Sequence, residues 1–187
     1  MARAVVEVPG TGEGGMTPNE IMEWHDFFLI IATVGATLAG LLFVALTISL
    51  PHLIGTEGYL TRAFTALFLQ FELTLIGILG LIPKQPVLAL GLEFFVLGVA
   101  VFAGITLFWR NFPENPNAVL GGPIPKAVRY ILAIVGTLFP ALAGLALPAG
   151  WDGALYLLVP AVVAGLYLSI ANAWVFAVEV PRRLQQK

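Results

Sequence analysis

The chain has 187 residues, of which 59% are hydrophobic and 11% are charged, and its net charge is −2. Soluble domains carry about 25% charged residues, and a small soluble fold could not bury this much apolar surface, so the composition indicates an integral membrane protein. The near-neutral charge argues against nucleic acid as a partner, and the absence of cysteine excludes disulfides, thiolate catalysis and cysteine–zinc sites.

Five segments are long and apolar enough to cross a lipid bilayer as helices. A hydrocarbon core of about 30 Å needs roughly 20 apolar helical residues, and helices satisfy their own backbone groups, as lipid requires. We therefore predict an all-α fold, a polytopic membrane helical bundle in one transmembrane domain over 17–181, between a flexible tail at 1–16 and a basic cytoplasmic tail at 182–187. The predicted transmembrane helices cover residues 27–50, 63–83, 87–109, 130–150 and 153–178.

Local signals place the ends of the first three spans. Thr17 and Glu20 form a capping box around Pro18, which predicts that the first helix begins near Pro18 and rises about 12 Å before the membrane. This helix is expected to end before Pro51, because the residue before a proline disfavours the helical conformation. The proline-flanked turn at 83–86 predicts that the second and third spans form an antiparallel hairpin.

Proline also marks the C-terminal half of the chain. Residues 111–125 contain four prolines and form the longest predicted loop. Pro140 and Pro160 lie inside the fourth and fifth predicted spans, and we expect both to kink their helices.

The distribution of basic residues predicts the orientation, because Lys and Arg beside spans stay on the cytoplasmic side. With the N-terminus outside and the C-terminus inside, the outer side has only Arg3 and Lys84. We therefore expect a multi-pass protein of the plasma membrane. The basic residues of the inner side are Arg62, Arg110, Lys126, Arg129, Arg182, Arg183 and Lys187.

The beginning of the first span carries a family resemblance. Residues 24–28 read WHDFF, and residues 36–46 read ATLAGLLFVAL. This pattern resembles the opening of small, largely uncharacterised bacterial multi-pass membrane proteins, some of which are described as modulators of the FtsH protease. The resemblance covers roughly residues 24–50, implies a location in the bacterial inner membrane, and carries over no catalytic residue.

Two acidic residues lie inside predicted spans. Glu72 is about 16 Å along its helix from Pro83, near the middle of the membrane, where a carboxylate is a candidate proton carrier, cation ligand or counter-ion. The alternative is a protonated carboxyl that bonds a neighbouring helix. Glu93 is expected at a similar depth, where it would share a proton with Glu72 or accept Lys84 from the nearby turn.

The second span is polar on two faces. Gln70 and Thr74 lie on one face with Gly77, whereas Thr65 and Glu72 lie on another, about 200° away on a helix with 3.6 residues per turn. One face can point into the bundle of a single chain. The other then needs a second subunit or a water-filled cavity, which favours a homo-oligomer.

The first span has a stripe of small and hydroxyl side chains at heptad spacing. Such a stripe is typical of a helix that lines a pore and equally of a tightly packed helix pair. The residues are Thr33, Thr37, Gly40, Val44 and Thr47.

Three acids, Glu20, Glu23 and Asp26, precede this span on the outer side. Around a symmetric pore they would form acidic rings that concentrate cations at its mouth. The alternative is the ordinary preference of acids for the start of a helix, where the macrodipole stabilises negative charge.

These observations predict a homo-oligomeric ion-channel or transport-type protein whose surroundings are the lipid bilayer. The alternative is an accessory protein that binds and regulates another membrane complex, such as a protease. We do not predict an enzyme, because the spans contain no Ser/His pair and the chain has no HExxH or GxSxG motif. No cofactor is predicted and no metal site, since His25 and His52 fall on opposite sides of the membrane.

Overall fold

The computed structural model describes residues 18–53, 59–112, 125–179 and 182, so the predicted N-terminal tail, most of the basic tail and most of the predicted loop at 111–125 lie outside the described residues. The described part of the chain is all-helical, as predicted. Its α-helices are α1 Pro18–Glu23, α2 His25–Leu53, α3 Tyr59–Gly80, α4 Val87–Asn111, α5 Lys126–Ala146 and α6 Leu158–Trp174.

Five of these helices are long and apolar enough to cross a membrane, namely α2, α3, α4, α5 and α6. They correspond in order to the five predicted spans. The last of them is extended at both ends, by a 3-10 turn at Ala154–Leu157 and by a π-helical turn at Val175–Glu179. The prediction of five apolar helices of spanning length is therefore confirmed.

Several helix ends differ from the prediction. Helix α2 continues through Pro51 to Leu53, and the missing N–H of the proline costs it one backbone hydrogen bond. Helix α3 ends at Gly80 rather than 83, because the next two N–H groups bond carbonyls three residues back and close the turn. Helix α5 ends at Ala146 rather than Gly150. Pro160 is the third residue of α6, in the first turn of an α-helix, where proline is tolerated.

The first helix is not continuous from Pro18. It breaks at Trp24, which separates the short α1 from α2. The Trp24 ring packs edge-on against Phe27 and Tyr156, with ring centroids 5.3 and 4.8 Å away. These contacts place α1 against the 3-10 turn that precedes α6.

Helix α3 is the centre of the bundle and contacts all four other long helices. Its approach to α2 depends on glycine, since a Cβ atom added to Gly77 would lie 2.6 Å from the Ala32 Cβ atom. The packing of α4 on α5 is similarly close, with an added Cβ atom on Gly98 lying 2.8 Å from the Thr137 carbonyl oxygen. Such small-residue contacts are how membrane helices approach closely.

The two ends of the bundle have different character. We call the end with the α3–α4 turn, residues 81–86, the hairpin end. Its core is aromatic and aliphatic and includes Phe28, Ile76 and Phe94. We call the opposite end, which contains Arg62 and Arg129, the arginine end. Both helices that carry these arginines begin there.

Candidate functional site

Glu72 is fully buried in the central helix. It exposes 0% of its surface, and neither carboxyl oxygen has a hydrogen-bond partner among the described residues. It lies on the face of α3 that is turned to α4, because Thr65, two turns earlier on that face, accepts a 2.9 Å hydrogen bond from the indole N–H of Trp109. A buried carboxyl group without a hydrogen-bond donor from the protein is a costly group to keep inside a fold.

Gln70 is the second buried polar group on α3, and it faces a different neighbour. Thr74, one turn on, lies against α2, where a Cβ atom added to Gly35 would be 2.8 Å from the Thr74 hydroxyl oxygen. Gln70 exposes 0% of its surface, and neither atom of its side-chain amide has a described hydrogen-bond partner. The Thr74 hydroxyl donates to the backbone carbonyl of Gln70, at 2.8 Å.

Ser169 of α6 is a third buried polar group without a described hydrogen-bond partner, and sequence reasoning did not single it out as a site residue. Helix α6 meets α3 where Gly165 lies against Leu73, with an added Cβ atom 2.9 Å from the leucine. Because the two helices are antiparallel, Ser169 lies one turn nearer the arginine end, level with Gln70. We call Gln70, Glu72 and Ser169 the buried polar layer.

Both polar faces of α3 are covered within one chain. The face with Gln70 is turned to α2 and the face with Glu72 to α4, and both residues are fully buried. The prediction assumed that only one face could be covered by the protein's own helices. It missed that α3 is central, so its polarity does not require a second subunit.

Glu93 does not pair with Glu72. Its carboxylate accepts a 2.5 Å hydrogen bond from the Gln85 side-chain amide, and Lys84 makes no described ion pair with it. The contact of Phe68 with Gly104 sets the antiparallel register, which puts Glu72 level with about residue 100 of α4 and roughly 10 Å along the axis from Glu93. The sequence had suggested that the hairpin brings the two acids to similar depths.

The predicted stripe on α2 faces away from the bundle. All five of its residues are exposed, and a Cβ atom added to Gly40 would meet no atom within 4 Å. The three threonine hydroxyls each donate to the carbonyl four residues earlier, at 2.7 to 2.8 Å. The stripe therefore packs against no described residue of its own chain. We call Thr33, Thr37, Gly40, Val44 and Thr47 the outward stripe.

The three acids at the hairpin end are exposed. Asp26 lies in line with the outward stripe, seven residues before Thr33, and its carboxylate is 3.2 Å from Nδ1 of His25. Among the described residues no group of three His, Asp or Glu side chains is placed to hold a metal ion. The acids thus form an exposed edge beside the stripe.

Two arginines at the arginine end are buried, although the sequence suggested surface positions. Arg62 and Arg129 are only 6% and 8% exposed, and both line a small cavity with Asn172. The Asn172 amide nitrogen donates to the Leu168 carbonyl of its own helix at 2.8 Å. Only the position of each arginine in the first turn of a span hinted at a special role, and that position usually indicates a side chain that reaches the membrane surface.

Comparisons of the chain with protein-family models, with curated proteins and with solved structures find no match. They add no site residue to those that the geometry provides. The candidate site is therefore the buried polar layer in the centre of the bundle, with the outward stripe as a separate surface.

Proposed function

We propose that this chain is an integral membrane protein with its N-terminus outside, its C-terminus in the cytoplasm and its hairpin end on the outer side of the plasma membrane. Support comes from the large apolar side chains that each long helix exposes, which water would not solvate. Tags on the two termini should be accessible from opposite sides, and access to both from one side would contradict the orientation. Examples of exposed side chains are Phe43, Phe71, Leu88, Ile131 and Val163.

We further propose a transport-type activity in which Glu72 binds the transported proton or cation. The carrying observation is that its carboxyl is fully buried in the central helix with neither oxygen hydrogen-bonded. An ionised carboxylate at the centre of a membrane costs roughly 2.5–3.5 kcal/mol on insertion scales. A chain that needed only stability would have an apolar residue here, so the carboxyl is best explained by an ion or proton that it binds.

The rest of the buried polar layer suits the same role. Gln70 and Ser169 supply an amide and a hydroxyl at the depth of Glu72, and their side-chain polar atoms make no described hydrogen bonds. Carbonyl, hydroxyl and carboxylate oxygens are the groups that replace the hydration shell of a cation. Together with Glu72 they place polar groups of α3 and α6 near one level of the membrane, on different faces of α3.

A homo-oligomer is the proposed assembly, with the outward stripe of α2 as the contact or path between copies. Only 22% of the most apolar part of α2 is buried in its own chain, against 50% for α3. The stripe is narrow and lined by small side chains, which allows a second helix to approach closely. The exposed Asp26 extends this surface to the hairpin end and would place negative charge there in each copy.

An accessory role is the second candidate, and the same stripe supports it. In that case the helix seated on α2 belongs to another membrane complex, such as the protease that the resemblance over 24–50 suggests. Purification from native membranes separates the two. A stoichiometric foreign subunit favours the accessory role, and a single species made only of this chain favours the homo-oligomer.

Flux measurements on reconstituted protein test the transport proposal. Proteoliposomes with the wild-type chain should pass protons or a monovalent cation down an imposed gradient, and Glu72→Gln should reduce that flux at least tenfold. Glu93→Gln is the matched control, because Glu93 has a side-chain partner in Gln85 and lies near the hairpin end. Absence of wild-type flux, or equal flux in wild type and Glu72→Gln, would contradict the proposal.

A further inference from the structure

A cavity of about 440 Å³ opens at the hairpin end, between α1 and the α3–α4 turn. This volume falls within the range of about 300–1,000 Å³ that is usual for small-molecule sites. Its apolar wall comes from both sides, with Ile21 and Met22 on α1 and Ile82 and Leu90 on the hairpin. It lies where the spans end, at the depth of a lipid headgroup if the helices cross the membrane.

A basic side chain, that of Lys84, lies at the edge of this cavity. Lys84 is exposed and lines the wall, and its backbone is held at φ 58°, a left-handed conformation that is uncommon for a residue other than glycine. His25 also lines the cavity, and its Nδ1 is engaged by Asp26 at 3.2 Å, which leaves Nε2 on the other side of the ring. The lysine offers N–H donors to an anionic group.

Next to this cation the wall offers an acceptor. The Gln85 amide nitrogen donates to Glu93, and a carboxylate only accepts, so the amide must place its nitrogen there and its oxygen elsewhere. That oxygen, Oε1, is buried without a described hydrogen-bond partner, although Gln85 lines the cavity. A buried acceptor without a donor is unfavourable, so a ligand in the cavity that supplied a donor to Oε1 would be stabilised there.

These features define the chemistry of a ligand. The ligand needs an anionic group to pair with Lys84 and an apolar body to cover the wall. It also needs an N–H donor for the Gln85 oxygen, and the nearby Glu93 carboxylate favours a donor that is positively charged. A phospholipid with a primary-amine headgroup has all three, since its phosphate and ammonium are adjacent and its acyl chains follow. A choline lipid lacks the N–H donor, and a glycerol lipid lacks the cation.

We propose that this cavity binds the headgroup of a zwitterionic amine phospholipid, with the phosphate at Lys84 and the ammonium at Gln85. The part of the acyl chains next to the headgroup then contacts Ile82 and Leu90 on the hairpin. Ile21 and Met22 line the opposite wall, on α1. The site rests on the membrane location proposed above, but it does not depend on Glu72 or on transport.

Lipid binding to the purified full-length protein in detergent tests this site. Native mass spectrometry would compare phosphatidylethanolamine, phosphatidylcholine and phosphatidylglycerol with matched acyl chains, and soluble phosphoethanolamine as the headgroup alone. We expect the ethanolamine lipid to bind about tenfold more tightly than the other two lipids, the size of effect of one hydrogen bond to a charged group. Soluble phosphoethanolamine should bind far more weakly, because it lacks the apolar body.

Variants assign the contacts. Lys84→Gln should weaken binding of the ethanolamine lipid about tenfold, and Lys84→Arg should retain it. Gln85→Met should remove the preference for ethanolamine over choline while both lipids still bind. Lys126→Gln is the matched control, because Lys126 is an exposed lysine at the arginine end. Unchanged thermal unfolding of each unliganded variant confirms that it is folded.

Three results would overturn the proposal: equal affinity for ethanolamine and choline lipids, wild-type affinity in Lys84→Gln, or equal affinity for the lipid and the soluble headgroup. The last would assign the cavity to a soluble amine phosphate. Failure of the membrane location would look different, since the protein would then remain in solution without detergent.

Discussion

Helices α2 and α3 are both apolar helices with a few polar residues, yet they place those residues in opposite ways. On α2 the threonines of the outward stripe are exposed and bond their own backbone. On α3 Gln70 and Glu72 are fully buried and their side chains have no described hydrogen-bond partners. A polar side chain on a membrane helix therefore costs little free energy when it hydrogen-bonds its own backbone, and more when it needs a partner from elsewhere.

The physical reason lies in the length and capacity of the side chains. A threonine hydroxyl is short enough to donate to the carbonyl four residues earlier, so it can face lipid at small cost. A carboxyl and a carboxamide have more lone pairs and donors to satisfy, and in this structure neither Gln70 nor Glu72 uses that local route. Under the transport proposal the α3 groups are the candidate site for a bound ion or proton, whereas the α2 groups form an outward surface.

The largest effect should come from adding bulk at the contact between the two helices. In Gly77→Leu the new side chain would meet the Ala32 backbone nitrogen at 2.6 Å and the Phe28 carbonyl at 2.7 Å. Overpacking of this kind costs typically about 1–3 kcal/mol and more where backbone must move. Unfolding of the detergent-solubilised protein, followed by circular dichroism, should show this loss of stability.

Gly40→Leu is the control for that change, because the same substitution on the outward side of α2 meets no atom within 4 Å. In a detergent that keeps the chain monomeric, its free energy of unfolding should stay within about 0.5 kcal/mol of wild type, because Gly40 faces no described atom of its own chain. Equal losses in the two variants would show that α2 does not pack on α3 through Gly77. A large loss only in Gly40→Leu would mean that the outward stripe is the structural contact.

A smaller effect of opposite sign is expected at Glu72. Glu72→Leu replaces a buried carboxyl that has no described hydrogen-bond partner with an apolar side chain, and should raise the free energy of unfolding by roughly 1–3 kcal/mol. Phe71→Leu is the control, since Phe71 is 58% exposed and its truncation should change stability little. The same unfolding measurement serves for both variants.

A fall in stability of Glu72→Leu would contradict this reading. It would mean that the carboxyl bonds another helix and acts in packing, the alternative that the sequence left open. Increased stability together with lost flux would instead be the signature of a functional residue that is retained at a cost to the fold.

Much of the fold could be predicted from the sequence, whereas less of the candidate site could be. The five long apolar helices and the α3–α4 hairpin followed from segment length and proline spacing, because crossing a bilayer fixes how many apolar residues a helix needs. The expected depth of Glu72, in the middle of a span, also followed from its place in the sequence. The pairing of Glu93 with Gln85 did not, because it depends on the register between two helices rather than on their individual sequences.

Composition and residue order by themselves determined that this chain is helical, which segments are the long helices and where acids interrupt them. Tertiary structure alone decided that α3 is central, so that both of its polar faces are covered by one chain and the stripe on α2 is turned outward. It also decided that Arg62 and Arg129 are buried and that Gln85 lines a cavity. The reason is that an apolar helix can pack against many different neighbours. The burial and the contacts of its small and polar residues are therefore fixed only by the arrangement of the helices around it.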